Sequence, residues 1–268
     1  MLQTIPPNYN YSSMKTVLYD GTFDGFLCAV FDVYYYKFNN VDICPAHRFQ
    51  GNIFHEPHYV YNEQSHKDRV WKGLQKKLSL EALDQIRYSF LAELPGIENT
   101  LLHYIQYAFD SSLYMEKDFS STAVLAVSQT AKKVWREKHR MEAFVRFQKT
   151  SDNLYYAFIE PDYNVLPLIA KHFQERYADQ RWLIFDGKRH YGLYYDRYHV
   201  TEVELQFADA TAHGKDIKSV YDENETMYQQ LWQLYFKSIN IKARKNTKLQ
   251  IQHMPRRYWK HLTEKRTT

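Results

Sequence analysis

The chain has 268 residues, 44% apolar and 25% charged, a globular balance that excludes a disordered protein and needs no disulfide or metal staple to fold. Eight glycines are few for a fold built on glycine-rich phosphate loops, and two cysteines make no disulfide framework, so a reducing, cytoplasmic setting is the expectation. Net charge is a modest +4, yet residues 237–268 carry ten Lys and Arg against Glu264 alone, leaving the rest of the chain at −5.

The first segment holds Pro6 and Pro7 and lacks the apolar stretch of a signal peptide; no run approaches the ~18 apolar residues of a membrane span. Thr16–Tyr19 reads as a short strand ending at the turn signal Asp20-Gly21, and Thr22 or Asp24 can cap a buried helix over Phe23–Phe38. From Asn39 to Tyr61, Pro45, Gly51 and Pro57 break the pattern and leave room for two short strands. Gln64–Lys77 and Leu80–Glu93 read as helices, the second stopped by Pro95-Gly96. Ile97, Leu101, Leu102, Ile105, Ala108 and Phe109 recur at helical spacing. Phe119–His139 is the next helix, apolar at Val124, Val127, Ala131, Val134 and Trp135.

Beyond it the texture changes. Glu142–Lys149, Leu154–Glu160, Arg181–Asp186, His190–Asp196 and Tyr198–Phe207 are aromatic and β-branched runs that predict strands. Asp152-Asn153 and Asp186-Gly187 are short enough for hairpin turns, so the pairing should be largely antiparallel. A helix over Val165–Tyr177 interrupts the strands, with Asn164 as its cap and Pro167 tolerated in its first turn. A last helix covers Glu223–Ile239. The class is α+β: a mostly helical N-terminal half, then an antiparallel sheet with helices on one face and a basic C-terminal segment. The chain is expected to form one compact unit, with 1–115, 116–236 and 237–268 as its natural parts.

No P-loop, G-x-S-x-G, H-E-x-x-H, C-x-x-C or iron–sulfur cysteine spacing occurs, so no cofactor is expected. Cys44, His47, His55 and His58 offer metal-ligand types, but at a spacing that matches no metal pattern, so no metal is expected either. His172 and Arg176 share a helix face. With Asp186 and Arg189 they could bind a phosphodiester or base edge and carry catalysis, or else form a structural ion pair at a hairpin.

The sharpest physical signal is the basic tail. Arg244, Lys245, Lys248, Arg256, Arg257 and Lys260 can grip phosphates, and Tyr258 and Trp259 can stack on unpaired bases. Alternatively Tyr258, Trp259 and Leu262 anchor the tail as an apolar plug while the cations face out. A solvated, merely solubilising tail is the plainest reading. Lys132, Lys133, Arg136, Arg140 and Arg146 form a second basic patch, part of which simply complements a helix C-terminus.

Several stretches carry a resemblance. Ile241-x-x-Arg244-x-Asn246, then Met254-Pro255-x-Arg257-Tyr258-Trp259-x-x-Leu262-x-Glu264, resembles the ending of the bacterial "probable DNA metabolism protein" family. Tyr19-Asp20-Gly21-x-Phe23-x-Gly25-Phe26-Leu27, His139-Arg140 with Phe144-x-Arg146-Phe147, and Glu160-Pro161-Asp162-Tyr163 are similar to it as well. So are His172-Phe173, Arg176, and Trp182-x-Ile184-x-Asp186 with Arg189 and Gly192. The resemblance implies a partner of a radical S-adenosylmethionine protein of DNA modification or repair, and similar segments occur fused to uracil-DNA glycosylase domains. The chain has neither partner's chemistry. The leading expectation is therefore a DNA-binding accessory protein that prefers single strands to duplex. An enzyme acting on a DNA base or phosphodiester, and an adaptor with a basic docking tail, are the alternatives.

Overall fold

The computed structural model describes residues 14–51, 56–111, 115–204, 225, 227, 229–231 and 251–265. The chain divides into two compact units, Met1–Lys132 and Lys133–Thr268.

The first unit opens with β1 (Lys15–Tyr19), α1 (Phe23–Tyr35), β2 (Val41–Pro45) and β3 (His58–Tyr59). These strands form a parallel sheet in the order β2-β1-β3, so the two short strands expected between Asn39 and Tyr61 flank β1 on opposite sides. Thr22 caps α1, its hydroxyl accepting from the Gly25 N–H at 2.9 Å. Asp20 braces that cap by accepting from the Thr22 N–H at 2.9 Å and from Asn62 at 2.6 Å. Gly25 is required here, because a Cβ on it would stand 2.1 Å from the Asp20 carboxylate.

Three helices follow: α2 (Gln64–Lys77), α3 (Leu80–Phe90) and α4 (Ile97–Asp110). Their apolar stripes close over the sheet around Val17, Phe26, Ile43, Leu74, Ile86, Leu101, Tyr104 and Ile105. α4 is tied to β2 by Asn99, which accepts from the Ile43 N–H at 2.8 Å and donates to Asp42 at 2.6 Å.

Helix α5 (Thr122–Phe144) begins in the first unit and ends in the second. It runs five residues past the expected end at His139 and takes up the start of the strand expected over Glu142–Lys149, which is reduced to β4 (Gln148–Lys149). The reason is the helical period: Val134 and Met141, two turns apart, are both buried, so the apolar stripe continues past the cationic run. Arg146 finishes the helix by donating to the carbonyls of Ala143 at 2.7 Å and Val145 at 3.2 Å.

The second unit contains β4, β5 (Tyr155–Ile159), α6 (Leu166–Arg176), β6 (Trp182–Asp186), β7 (Tyr191–Tyr195) and β8 (Val200–Glu204), in sheet order β4-β5-β6-β7-β8. Three of the four pairings are antiparallel, as the turn signals predict. The fourth, β5 with β6, is parallel because α6 is the crossover between them. One face of the central strands carries Trp182 and Ile184, with Trp182 against Phe173 of α6; the other carries Tyr156, Leu183 and Phe185. Gly192 sits where a Cβ would lie 2.9 Å from the Ile184 carbonyl oxygen. The cap of α6 is Val165 rather than Asn164, whose side-chain oxygen instead accepts from the Tyr191 hydroxyl. Residues 225, 227 and 229–231 of the expected last helix are helical; the rest of it lies outside the described residues.

Candidate functional site

Ligand sites in sheets with parallel strands gather at the carboxyl ends of those strands. In the second unit that place is where β5 and β6 end side by side, Ile159 paired with Asp186. Glu160, Pro161 and Asp162 leave β5 there, and Lys188 and Arg189 occupy the turn after β6.

Asp186 is fully buried. It accepts from the backbone N–H of Lys188 at 2.8 Å and from the Arg189 guanidinium at 3.0 Å. Burial pushes its pKa above the ordinary aspartate value, and the Arg189 charge pulls it partly back. Arg189 reaches the carbonyls of Pro161 at 3.4 Å and Asp162 at 3.3 Å, tying the turn after β6 to the loop after β5. Lys188 adds a 2.9 Å contact to the Asp162 carboxylate.

Into this charged corner comes the 3-10 helix Arg256–His261. Arg257 donates to Glu137 of α5 at 2.8 Å and lies 3.0 Å from Asp162. Tyr258 is 2% exposed, hydrogen-bonded to Glu137 and packed on Phe144 at 5.4 Å between centroids. Lys260 pairs with Glu160, and the His261 ring stands 3.0 Å from the same carboxylate. Farther on, Glu264 grips Arg146 at 2.8 Å. Glu137, 1% exposed, is the hub: it also accepts from the Asp162 N–H at 2.9 Å.

For Tyr258, Arg257 and Lys260 this geometry favours the second reading of the tail, that of an anchor. Tyr258 has no face left for a base, and Arg257 and Lys260 are held by carboxylates of the body, so this part of the tail is an ion-paired anchor. Trp259 is half-buried, donating from its indole N–H to the Met254 carbonyl at 3.0 Å with Lys265 over its ring. Arg256 is exposed beside it. Arg244, Lys245 and Lys248 lie outside the described residues.

The second basic patch is divided. Arg146 is taken by Glu264, and Arg140 stands 3.9 Å from the buried Glu137. Lys132, Lys133 and Arg136 are exposed along α5. Between them stands Trp135, which the sequence placed on the apolar face. It is 50% exposed, and its ring lies parallel to that of His139 at 5.7 Å and 3°. Positions 132, 135, 136 and 139 fall on one helix face, opposite the buried Val127, Val134 and Met141.

Of the catalytic candidates, Asp186 and Arg189 pair at the hairpin and His172 is engaged elsewhere. His172 turns to Glu142, 4.0 Å away, while both oxygens of Asp186 are taken by its own turn. Arg176 is exposed beside Tyr177. The metal-like loop is dispersed. Cys44 lies on β2 and His58 on β3, with β1 between them; His58 pairs with Asp32 at 2.7 Å; His55 lies outside the described residues. Among the described residues no group of three or more His, Cys, Asp or Glu could hold a metal ion.

Sequence reasoning missed Glu137. Its signal was local: the one acid within Lys132–Arg140, at buried phase between Val134 and Met141.

Fold and site together define an α+β protein with a salt-linked C-terminal segment and a cationic, aromatic helix face. A family model described as a domain of unknown function, DUF4130, matches residues 95–264, and the chain belongs to that family. No curated protein matches it. One solved structure similar to it is the pGpG-specific phosphodiesterase PggH from Vibrio cholerae, at 10% identity and a TM-score of 0.32, with 85% of this chain and 99% of that one covered. So low a score carries no argument about fold or chemistry. No helix among the described residues is long and apolar enough to cross a membrane.

Proposed function

We propose that the protein is a DNA-binding accessory factor of DNA metabolism, holding nucleic acid for a separate enzyme. The observation that carries this reading is the exposed face of α5, where Lys132 and Arg136 flank a solvent-facing tryptophan and Lys133 is exposed farther round the helix. Cations at this spacing suit a phosphate backbone, which is recognised mainly by charge and release of counterions. Arg256 adds to the basic surface. The resemblance to DNA metabolism proteins supports the same reading and points to a radical S-adenosylmethionine protein or a uracil-DNA glycosylase as the partner. A catalytic role is less well supported, since Asp186 and Arg189 are committed to bracing the turn after β6.

The test is a titration of the full chain with a labelled oligonucleotide across a range of salt. Affinity should fall log-linearly, and Lys132→Ala and Arg136→Ala should each reduce the slope by about 0.7–0.9. Salt-insensitive binding, or no binding at low salt, would overturn the proposal.

A further inference from the structure

Resting on that DNA-binding reading, we infer that Trp135 and His139 form a stacking platform for an unpaired nucleobase on the exposed face of α5. Trp135 is a large apolar side chain half in water, where a ring of that size is ordinarily withdrawn into the core. It is held flat, parallel to His139 within 3°, and the His139 side chain is itself 72% exposed. Glu142 stands 3.7 Å from the His139 ring, and the buried Glu137 faces the other side of the helix.

The ligand class follows from the combination. A flat aromatic pair alone suits many apolar partners, but Lys132 and Arg136 on the same face select a polyanion. A planar group carried on a polyanion is a nucleobase on its phosphate chain. In a duplex the base faces are hidden within the stack, so the platform selects single-stranded or flipped-out nucleotides. One turn of helix separates the two rings, and the cations one residue from Trp135 or one turn before it can reach the flanking phosphates. This also relocates single-strand preference from the tail to α5: Tyr258, the obvious stacking residue by sequence, is buried.

The experiment compares full-length wild type, Trp135→Leu and Trp135→Phe for affinity to a thymine oligonucleotide and to a mixed-sequence duplex of equal length, with thermal melting of each protein. Stacking contacts of this kind predict that Trp135→Leu weakens single-strand binding about tenfold. Duplex affinity should change by less than about twofold, and the salt slope should be unchanged. Trp135→Phe, which keeps a ring, should recover most of the loss. Equal loss on both DNA forms, a loss that tracks a lowered melting temperature, or no loss at all overturns the platform. Absence of salt-dependent DNA binding in the wild type would instead sink the DNA-binding reading itself. Persisting salt-dependent binding that ignores Trp135 would sink only the platform.

Discussion

Glu137 and Arg257 stand 120 residues apart in the chain and 2.8 Å apart in the fold. The glutamate is almost wholly buried, and Arg257, the Tyr258 hydroxyl and the Asp162 N–H all converge on it. A buried carboxylate is tolerable only with such partners, and removing it strands the buried Tyr258 hydroxyl and the Asp162 N–H, while Arg257 keeps the Asp162 carboxylate at 3.0 Å. Glu137→Ala should therefore lower stability by roughly 3 kcal/mol, at the low end for a buried pair because Arg257 is partly exposed. That corresponds to a fall of roughly 10 °C in melting temperature. An unchanged melt would show that the tail is not held through this residue.

Tyr258→Phe isolates one donor of the same hub. It keeps the packing on Phe144 and removes the hydroxyl, so a loss of about 1 kcal/mol is expected. Its affinity for DNA should stay within about twofold of wild type, because the ring faces the interior. A selective loss of single-strand binding in a normally melting Tyr258→Phe protein would restore the tail as the stacking element.

The tail contacts also set a pH dependence. Burial raises the Glu160 carboxyl, but the contact with Lys260 and the charges of Lys260, His261 and Lys188 outweigh it and hold the group below the usual glutamate range. Its contribution is thus present above the unfolded value of about 4.3 and is lost as pH falls through the lower folded value. Wild type should exceed Glu160→Gln in stability near pH 6, and the difference should close in strong acid. A gap that widens as pH falls would contradict this assignment.

At the alkaline end Tyr258 behaves oppositely. Burial first, then the hydrogen bond and charge of Glu137, raise its phenol above the ordinary value of about 10. Its contribution is full below that value and disappears as pH rises through the folded one. Ultraviolet titration should show one tyrosine fewer ionising at high pH in Tyr258→Phe, and that one should be absent from the normal titration near pH 10 of the folded wild type.

Gly192→Ala tests the sheet that positions the site. The added methyl would meet the backbone oxygen of Ile184 at 2.9 Å, which cannot rotate away as a side chain could. A loss of roughly 1–3 kcal/mol is expected. A neutral substitution, read by denaturant unfolding, would mean the strands can separate locally at no cost.

Much of the fold was legible because its signals are local. The bounds of α2 at Gln64–Lys77, the Thr22 cap, and the hairpin at Asp186-Gly187 follow from helical period, side-chain capping and turn chemistry within a few residues. The end of α5 was misjudged where a cationic run hid the apolar phase carried on by Met141. The parallel pairing of β5 with β6 was missed too, because strand direction is set by the crossover helix α6 and the strand run reads alike in either direction.

The sequence alone determined the α+β class, the order of most elements, the basic tail and the cationic stretch of α5, all properties of residue type and spacing. Only the tertiary structure decided which aromatic and cationic side chains meet water. Tyr258 and Trp135 look interchangeable as letters beside arginines, yet one is sealed against Glu137 and Phe144 and the other lies open beside His139. That difference depends on a carboxylate more than a hundred residues from the tyrosine it binds. Burial of a charge is favourable only when such a distant partner arrives, and no local pattern records that it will.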